Sequence, residues 1–333
     1  MDIKLRALNN LDRWALESWT DLGGRALESN PFFEPSFVLP LARHYGLEMS
    51  VLTVAQGADL VFCLPFFRGT TKWQGLPLPA WRTWNPLSTP LVDKADPEAI
   101  MAAAIEYCLS CDGPNVLVLD FLPTDGPVAA AFEAATRSRG APWPSKERKA
   151  SDRPIMFRRE DGAYLDSTLR GERKRALRRK RERLEDSLGG PLTVVEDNGT
   201  EAIERLLAME AAGWKGRIGR AVANDSRHAP LFREACAGFA REGRLQLLSY
   251  RTGSTTLAMK ADLRSGHTMF GLRTAYDERF KKCSPGVQLE IEAVAVFHAS
   301  GDQLWDSCTN HEKNPQSWLW PERREFRRFI VTL

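Results

Sequence analysis

The chain has 333 residues, of which 43% are hydrophobic and 27% charged, and its formal net charge is +3. This length suits two domains of about 150 residues with ordinary globular cores, and so small a net charge says little about partners. No run approaches the roughly 20 apolar residues that cross a bilayer. No apolar run follows the charged N-terminus either, so we expect a cytoplasmic protein without a secretory signal.

The six cysteines do not predict a metal site. Only Cys108 and Cys111 are close in sequence, and neither a second pair nor histidines at ligand spacing accompany them. The pair falls late in an apolar helical run, which favours reduced thiols that face a core. Reduced thiols are typical of a cytoplasmic protein.

The first half of the chain alternates helical and strand-like hydrophobic patterns. Predicted helices cover residues 12–28, a short segment from 35, residues 97–111 and residues 126–139; predicted strands cover 49–55, 59–67, 115–121 and 154–158. The proline- and tryptophan-rich stretch 73–91 is typical of an irregular loop or an edge strand.

The second half has a clearer order of elements. Predicted helices cover 166–187, 201–215, 228–242 and 285–300; predicted strands cover 192–196, 244–251, 255–263, 267–275, 303–308 and 326–332. Short glycine–serine turns at 253–254 and 265–266 join the three central strands, which predicts an antiparallel meander. A meander followed by a helix and a strand is an α+β pattern, and we predict two domains, 1–150 and 151–333.

Four segments of the second half resemble one known family. They are the basic helix at 169–184, Glu-Ala-Ala-Gly-Trp-Lys-Gly at 210–216, Ala-Tyr-Asp-Glu at 275–278 with Ser-Pro-Gly at 284–286, and Trp-Asp-Ser-Cys at 305–308 followed by His311 and Trp318. In this order they are similar to the cellulose-biosynthesis-type acetyltransferases of the GNAT superfamily, tandem proteins related to the Fem-type aminoacyltransferases. The resemblance covers most of residues 160–325, whereas the first half matches only in general pattern.

The resemblance implies an α+β fold with two GNAT-like halves, each a mixed, largely antiparallel sheet flanked by helices. It also implies an N-acyltransferase that moves an acyl group from a coenzyme A thioester to an amine. Acyl-CoA is then a co-substrate, and we expect no permanently bound cofactor. Bacterial ceramide synthases are among the GNAT-like proteins that this chain resembles, so the acceptor we expect is a long-chain sphingoid base, which would give a ceramide-type amide.

The turn Ser284-Pro285-Gly286 is the most informative local feature. A serine before a proline at the first helical position predicts a helix start, and the N-terminus of a helix attracts a pyrophosphate. Gly286 leaves room for a phosphate to approach, and Lys281 and Lys282 supply charge. The resemblance implies that the coenzyme A pyrophosphate binds here. The usual glycine-rich signature is missing, so an ordinary capped helix is the alternative interpretation.

The strand before this turn and the loop after the next strand supply the remaining catalytic predictions. Gly271 predicts a bulge in the strand that would hold the pantetheine. His311 is the predicted proton acceptor, because an imidazole near its usual pKa can deprotonate an attacking ammonium. Asp306 is predicted to orient that imidazole or bind the amine. Glu210 is the alternative base; the alternative for all three side chains is an ordinary structural role.

The acceptor side is predicted from aromatic residues. Trp214 shares a helix face with Glu210, and Lys215 follows it directly. The resemblance places this helix end at the acceptor pocket, so Trp214, Lys215, Tyr276 and Trp318 are predicted to bind the acceptor substrate. A simple helix terminus and core packing are the alternatives.

The segment 170–183 contains nine Lys or Arg in fourteen residues. Peripheral contact with an anionic membrane at the inner membrane surface and contact with the coenzyme's phosphates are the two functional predictions, and a packed basic helix is the alternative. Nucleic-acid binding is not expected, because no aromatic RNA-recognition signature accompanies the charge. Two other functions stay open: Fem-like transfer from aminoacyl-tRNA, and a degenerate scaffold that binds a membrane or a partner.

Overall fold

The computed structural model describes residues 1–68, 73–75, 87–110, 116–138, 146–160, 164–309 and 314–332. Within this part of the chain two compact units form, one from Met1–Arg153 with Arg323–Leu333 and one from Pro154–Glu322. The predicted division near residue 150 cuts the chain only once. In the structure the last residues, Arg323–Leu333, belong to the first unit instead.

The elements are short and alternate along the chain. The strands are β1 (Asp2–Ala7), β2 (Met49–Gln56), β3 (Asp59–Arg68), β4 (Trp73–Gly75), β5 (Leu91–Val92), β6 (Val116–Pro123), β7 (Lys146–Phe157), β8 (Thr193–Glu196), β9 (Leu245–Thr252), β10 (Thr255–Ser265), β11 (Thr268–Tyr276), β12 (Leu304–Asp306) and β13 (Glu322–Thr332). The α-helices are α1 (Arg13–Arg25), α2 (Pro35–Tyr45), α3 (Pro97–Ser110), α4 (Pro127–Arg137), α5 (Tyr164–Thr168), α6 (Gly171–Leu188), α7 (Thr200–Ala212), α8 (Trp214–Arg217), α9 (His228–Arg241), α10 (Pro285–Ala299) and α11 (Gln316–Leu319).

In the first unit β1, β2 and β3 form an antiparallel meander, and β4 pairs beside β3. β4 and β6 are parallel, with α3 between them in the chain. β13 then pairs antiparallel with β6. Edge strand β1 was not predicted, because its alternating half-exposed residues carry a weak hydrophobic signal.

In the second unit the predicted meander is confirmed as β9–β10–β11, with β8 beside β9. β12 pairs parallel with β11, as expected for a strand–helix–strand crossover through α10. The end of β7 closes the sheet against β12. The predicted α+β class, with mixed and largely antiparallel sheets flanked by helices, is therefore confirmed.

Helix α10 shows how the sequence fixes the packing beside the candidate site. Proline suits the first helical position because its missing N–H has no helical partner to lose. Buried residues then recur at helical spacing, and they are Leu289, Ala293, Val294 and Phe297. They share one core with Leu184 of α6 and with the indoles of Trp305 and Trp320, which contact each other at a tilt of 47°. Fully burying a side chain such as Leu289 stabilises the fold by about 1.5–3 kcal/mol.

Two predicted helices are divided in the structure. The basic helix breaks between α5 and α6, where Gly171 has a left-handed backbone with φ of 55°. The predicted helix 201–215 breaks at Gly213, whose extended backbone separates α7 from α8. Among the described residues, no helix is long and apolar enough to cross a bilayer.

Candidate functional site

The turn that opens α10 differs in detail from a standard helix start. Ser284 precedes Pro285 as predicted, but its backbone is left-handed, with φ of 55° and ψ of 52°, and its hydroxyl does not cap the helix. That hydroxyl instead accepts a hydrogen bond from Lys180 Nζ of α6 at 2.9 Å. The predicted helix start is confirmed, but the alternative interpretation of an ordinary capped helix does not describe Ser284, whose side chain binds a cation 104 residues away in sequence.

This arrangement concentrates positive charge at the N-terminus of α10. The helix dipole contributes about half a positive charge there, and the Lys180 ammonium lies beside it. Lys281 and Lys282 are exposed in the short 3₁₀ helix Glu278–Cys283 that leads into the turn. An ammonium has three N–H donors, so a hydrogen bond to Ser284 uses only one of them. The turn can therefore hold an anion.

Gly286 lies against an aromatic ring. A Cβ at this position would lie 3.4 Å from Cδ1 of Tyr276, the last residue of β11. Tyr276 therefore packs on the α10 turn, so the structure brings two predicted site residues together. Burial raises the pKa of the Tyr276 hydroxyl, and the carboxylate of Glu278 raises it further, so the phenol stays neutral.

The parallel pairing of β11 with β12 is short. It spans three residue pairs, ending at Phe270 with Asp306. From Gly271 to Tyr276, β11 pairs only with β10 in the described part of the chain. That stretch leaves one edge of β11 without a neighbouring strand, which is a geometry that can receive an extended amide-bearing ligand.

Gly271 marks the point where the two strands diverge. The register of β11 against β10 skips Leu272, so the predicted bulge is confirmed. A Cβ on Gly271 would lie 2.6 Å from the carbonyl oxygen of Ser307, closer than real Cβ contacts allow. The chain beyond β12 therefore passes against Gly271 before it turns away, and glycine is required for that approach.

Asp306 shapes this turn. Its side chain is buried, and Oδ1 accepts a hydrogen bond from the backbone N–H of Cys308 at 2.7 Å. Cys308 has a left-handed backbone with φ of 50°, a strained conformation for a residue other than glycine. His311 lies outside the described residues, so its predicted role as the base stays a prediction. The described chain stops at Thr309 before this segment and resumes at Asn314 after it.

Glu210 is a buried brace between elements. Its Oε1 accepts from Lys215 Nζ at 2.9 Å and from Arg273 Nε at 2.6 Å, and its Oε2 accepts from the backbone N–H of Val222 at 2.8 Å. Burial alone would raise the pKa of Glu210, but Arg273, Lys215 and the Val222 N–H together lower it. A carboxylate held in this way is a poor proton acceptor. Lys215 also donates to the Thr274 carbonyl, so both residues secure α7 and α8 to β11.

Trp214 and Trp318 belong to different parts of the second unit. Trp214 begins α8 and remains exposed, while its backbone N–H donates to Glu278 Oε1 at 3.0 Å. Trp318 packs against the core that α6 and α10 share, and the Arg173 guanidinium lies 4.4 Å from its ring centroid. In the described structure Trp214 therefore lies on the surface, and Trp318 contacts the basic helix.

Part of the charge of the basic helix is used within the unit. Arg181 forms ion pairs with Glu185 and with Glu292 of α10, and donates to the Leu192 carbonyl at 2.9 Å. Together with Lys180 it fixes α6 beside α10. Other cations of α6 are exposed, and they are Arg173, Lys174, Arg175, Arg178, Arg179 and Arg183.

A buried ionic cluster in β10 and α10 was not predicted from sequence. Lys260 Nζ lies 3.4 Å from Asp262 Oδ1 and 3.2 Å from Glu290 Oε2. Trp305 Nε1 donates to Asp262 Oδ1 at 3.2 Å, and Gln316 Nε2 donates to Glu290 Oε2 at 2.9 Å. The signal that could have identified it is two charges at strand spacing, Lys260 and Asp262, inside the otherwise apolar stretch 257–263 of β10.

The cluster has two carboxylates and one ammonium, so it holds more negative than positive groups. Burial raises the pKa of Asp262 to about 6, and Glu290 opposes the lowering effect of Lys260. Burial alone would lower the pKa of Lys260, but the two carboxylates raise it, so Lys260 stays charged. Among the described residues, Asp262 Oδ2 and Glu290 Oε1 have no hydrogen-bond partner.

We expect Asp262 to make the second unit lose stability as the pH rises. Because its folded pKa of about 6 lies above the ordinary 3.8, its contribution is complete below 3.8 and is lost as the pH rises through about 6. Urea unfolding should show the wild type losing about 2 kcal/mol more than Asp262→Asn between about pH 4.5 and 7.5. Equal losses in the two proteins would contradict the assignment.

Residues 171–313 match the profile of the acetyltransferase (GNAT) domain. No curated protein matches the chain significantly. Among solved structures, FemX aligns with 100% of this chain and 98% of its own at 8% identity and a TM-score of 0.64. A conserved protein of unknown function from Bacteroides thetaiotaomicron VPI-5482 aligns with 99% of this chain and 100% of its own, at 14% identity and a TM-score of 0.61.

A third solved structure, L-PGS from Bacillus licheniformis, aligns with 96% of this chain and 91% of its own, at 9% identity and a TM-score of 0.52. Such low identities establish a common fold and nothing finer. The domain match covers β9 to β12 together with the α10 turn. The resemblance inferred from the four sequence segments is therefore confirmed: the chain carries a GNAT acetyltransferase domain at residues 171–313, in a fold that it shares with the Fem-type proteins.

Proposed function

We propose that this protein transfers an acyl group from a coenzyme A thioester to an amine. The observation that carries the proposal is the cationic N-terminus of α10, where Lys180 Nζ donates to Ser284 at 2.9 Å. It lies at the end of a strand edge that, in the described part of the chain, has no neighbouring strand from Gly271 to Tyr276. An anion site next to an open strand edge fits the two halves of coenzyme A, its pyrophosphate and its amide-bearing pantetheine arm.

The proposed reaction consists of addition of the amine to the thioester and departure of coenzyme A. The neutral amine attacks the thioester carbonyl carbon, and the C–N bond forms as electrons move to the oxygen. A backbone N–H of the β11 edge near Gly271 stabilises that oxygen. The C–S bond then breaks, so coenzyme A leaves as the thiolate and the nitrogen loses a proton. His311 is the proposed proton acceptor, and Asp306 positions the loop that precedes it through its bond to Cys308.

The finer proposal concerns the acceptor. A long-chain sphingoid base, acylated to a ceramide-type amide, fits the resemblance noted in the sequence. The exposed cations of α6 support peripheral contact with an anionic membrane, where such an amine is found. Tyr276 and Trp318 are proposed to contact the bound substrates from the end of β11 and from α11.

Turnover is tested by incubating the purified protein with acyl-CoA of several chain lengths and with sphingoid or short-chain amines. Release of free coenzyme A thiol, matched by an equal amount of amide, supports the proposal. Release without amide shows only thioester hydrolysis. No thiol release with any acyl length or amine would overturn it.

We expect Lys180→Met to weaken coenzyme A binding by about tenfold, because it removes a charge-assisted donor from the pyrophosphate site. Isothermal titration measures the change. Lys174→Met is the matched control, since Lys174 lies on the same helix and pairs with Asp166 instead. Equal affinities of the two variants would contradict the placement of the pyrophosphate.

A second candidate function is Fem-like transfer from an aminoacyl-tRNA, which the likeness to FemX over the whole chain favours. Only four residues separate α6 from β8, which leaves no room at that point for the long helical hairpin expected of such enzymes. A gel shift with aminoacyl-tRNA separates the two candidates: tight binding together with no affinity for coenzyme A would favour the second.

A further inference from the structure

Two large apolar side chains stand exposed at the first residue of α8 and at the residue that directly follows the helix. Trp214 is 41% exposed and Ile218 is 54% exposed. The backbone N–H of Ile218 donates to the Trp214 carbonyl at 3.1 Å, so the two residues lie one helical turn apart on the same side. We call this pair the α8 ridge. Neither residue belongs to the apolar core that α6 and α10 share.

The α8 ridge is held rigidly. Gly216 packs so closely on α7 that a Cβ there would lie 1.8 Å from the Ala211 carbonyl oxygen. The backbone N–H of Arg220 donates to the Lys215 carbonyl at 2.7 Å, which closes the segment after the ridge. Because the backbone of this segment is held in place, the exposure of Trp214 and Ile218 does not come from a frayed helix end. It is a property of the fold.

The ridge lies beside the proposed donor edge. The Trp214 N–H and the Arg217 guanidinium both bind Glu278, two residues after the end of β11. A Cβ on Gly213 would lie 3.9 Å from the Tyr276 carbonyl oxygen, which places the start of α8 against the same strand end. The backbone of the ridge therefore lies against the end of the proposed donor edge.

The charges around the ridge are mostly positive. Arg220 is exposed on the segment itself, next to Arg217, which is paired with Glu278. Lys281 lies one 3₁₀ turn after Glu278 on the same helical face. Lys282 is exposed beside it. The nearby carboxylates, Asp277 and Glu278, are each paired with an arginine.

Exposed tryptophan and isoleucine with a cationic rim suit one kind of partner, an anionic lipid surface. An indole prefers the headgroup level of a bilayer, isoleucine adds apolar burial, and each nearby cation is attracted to acidic lipid. We propose that the α8 ridge docks on anionic membrane and turns the donor edge toward it. The acceptor would then be an amine with a long alkyl chain that is taken from the lipid phase, an inference that rests on the proposed acyl transfer.

The test uses the full chain and vesicles made of equal parts of phosphatidylglycerol and phosphatidylcholine, with pure phosphatidylcholine as the neutral vesicle. The double variant Trp214→Ala/Ile218→Ala is compared with Trp14→Ala/Leu109→Ala. The control residues are matched, since Trp14 is 42% and Leu109 49% exposed in the first unit. Coenzyme A affinity and thermal unfolding are measured on all three proteins.

We expect the wild type and the control to co-sediment with anionic vesicles and the ridge variant to bind on the order of tenfold more weakly. Added salt should weaken wild-type binding several-fold, and neutral vesicles should bind little. Unchanged vesicle binding of the ridge variant overturns the proposal. So does a wild-type dimer that the ridge variant dissociates, since the occupant would then be a second copy of the chain. If the wild type does not bind coenzyme A, that result counts against acyl transfer, whatever the vesicles show.

Discussion

Lys260→Met should destabilise the second unit by about 3–5 kcal/mol, the cost of breaking a buried ion pair from one side. The substitution keeps the apolar stem and removes the ammonium that lies within 3.4 Å of Asp262 and 3.2 Å of Glu290. Both carboxylates are almost fully buried, so neither can recover its hydration. Chemical unfolding followed by circular dichroism measures the change.

The control for this prediction is the triple variant Lys260→Met/Asp262→Asn/Glu290→Gln. It removes all three charges with little change in volume, and replacing a whole buried ionic group is often close to neutral. We therefore expect the triple variant to recover much of the stability that the single variant loses. A single variant that loses less than about 1 kcal/mol would contradict the view that Lys260 neutralises this cluster.

Gly271→Ala should lower acyl transfer by about a hundredfold, the size of effect that a displacement of roughly 1 Å can have on a reacting group. The new Cβ would lie 2.6 Å from the Ser307 carbonyl oxygen, which is backbone and cannot rotate away. The two strand ends must separate, and the N–H groups proposed to hold the thioester move with them. Steady-state kinetics with varied acyl-CoA measures kcat/KM.

Gly301→Ala is the control for this second prediction. Gly301 lies just before β12, its φ is not positive, and a Cβ there meets nothing within 4 Å. We expect it to keep both its stability and its activity. A Gly271→Ala protein that turns over at the wild-type rate would show that the divergence of β11 from β12 does not hold the thioester.

Local signals in the sequence were enough for most elements of the second unit. The glycine–serine turns and alternating apolar residues located β9, β10 and β11, and the serine–proline–glycine turn located the start of α10. These signals depend on residues within one turn or strand of each other. The return of β13 to the first unit was not predictable in this way, because it depends on pairing with β6, about 200 residues earlier.

The chemistry of the candidate site depends more on distant residues. The left-handed Ser284 with its bond to Lys180, and Glu210 with its bond to Arg273, join residues 104 and 63 positions apart. Sequence spacing identified Glu210 and Ser284 as candidate site residues. It did not predict their bonding partners, which decide what each side chain can do. The buried Lys260 cluster is not apparent in either element alone, because its charges meet only where β10 packs against α10.

Titration calorimetry of the wild-type protein with coenzyme A and with pantetheine tests the central claim most directly. Pantetheine keeps the amide-bearing arm and lacks the pyrophosphate, so the claim predicts saturable one-to-one binding of coenzyme A and at least about tenfold weaker binding of pantetheine. Equal affinities would show that the N-terminus of α10 is not the anion site. No heat with either ligand, in protein that unfolds cooperatively, would contradict coenzyme A as the donor.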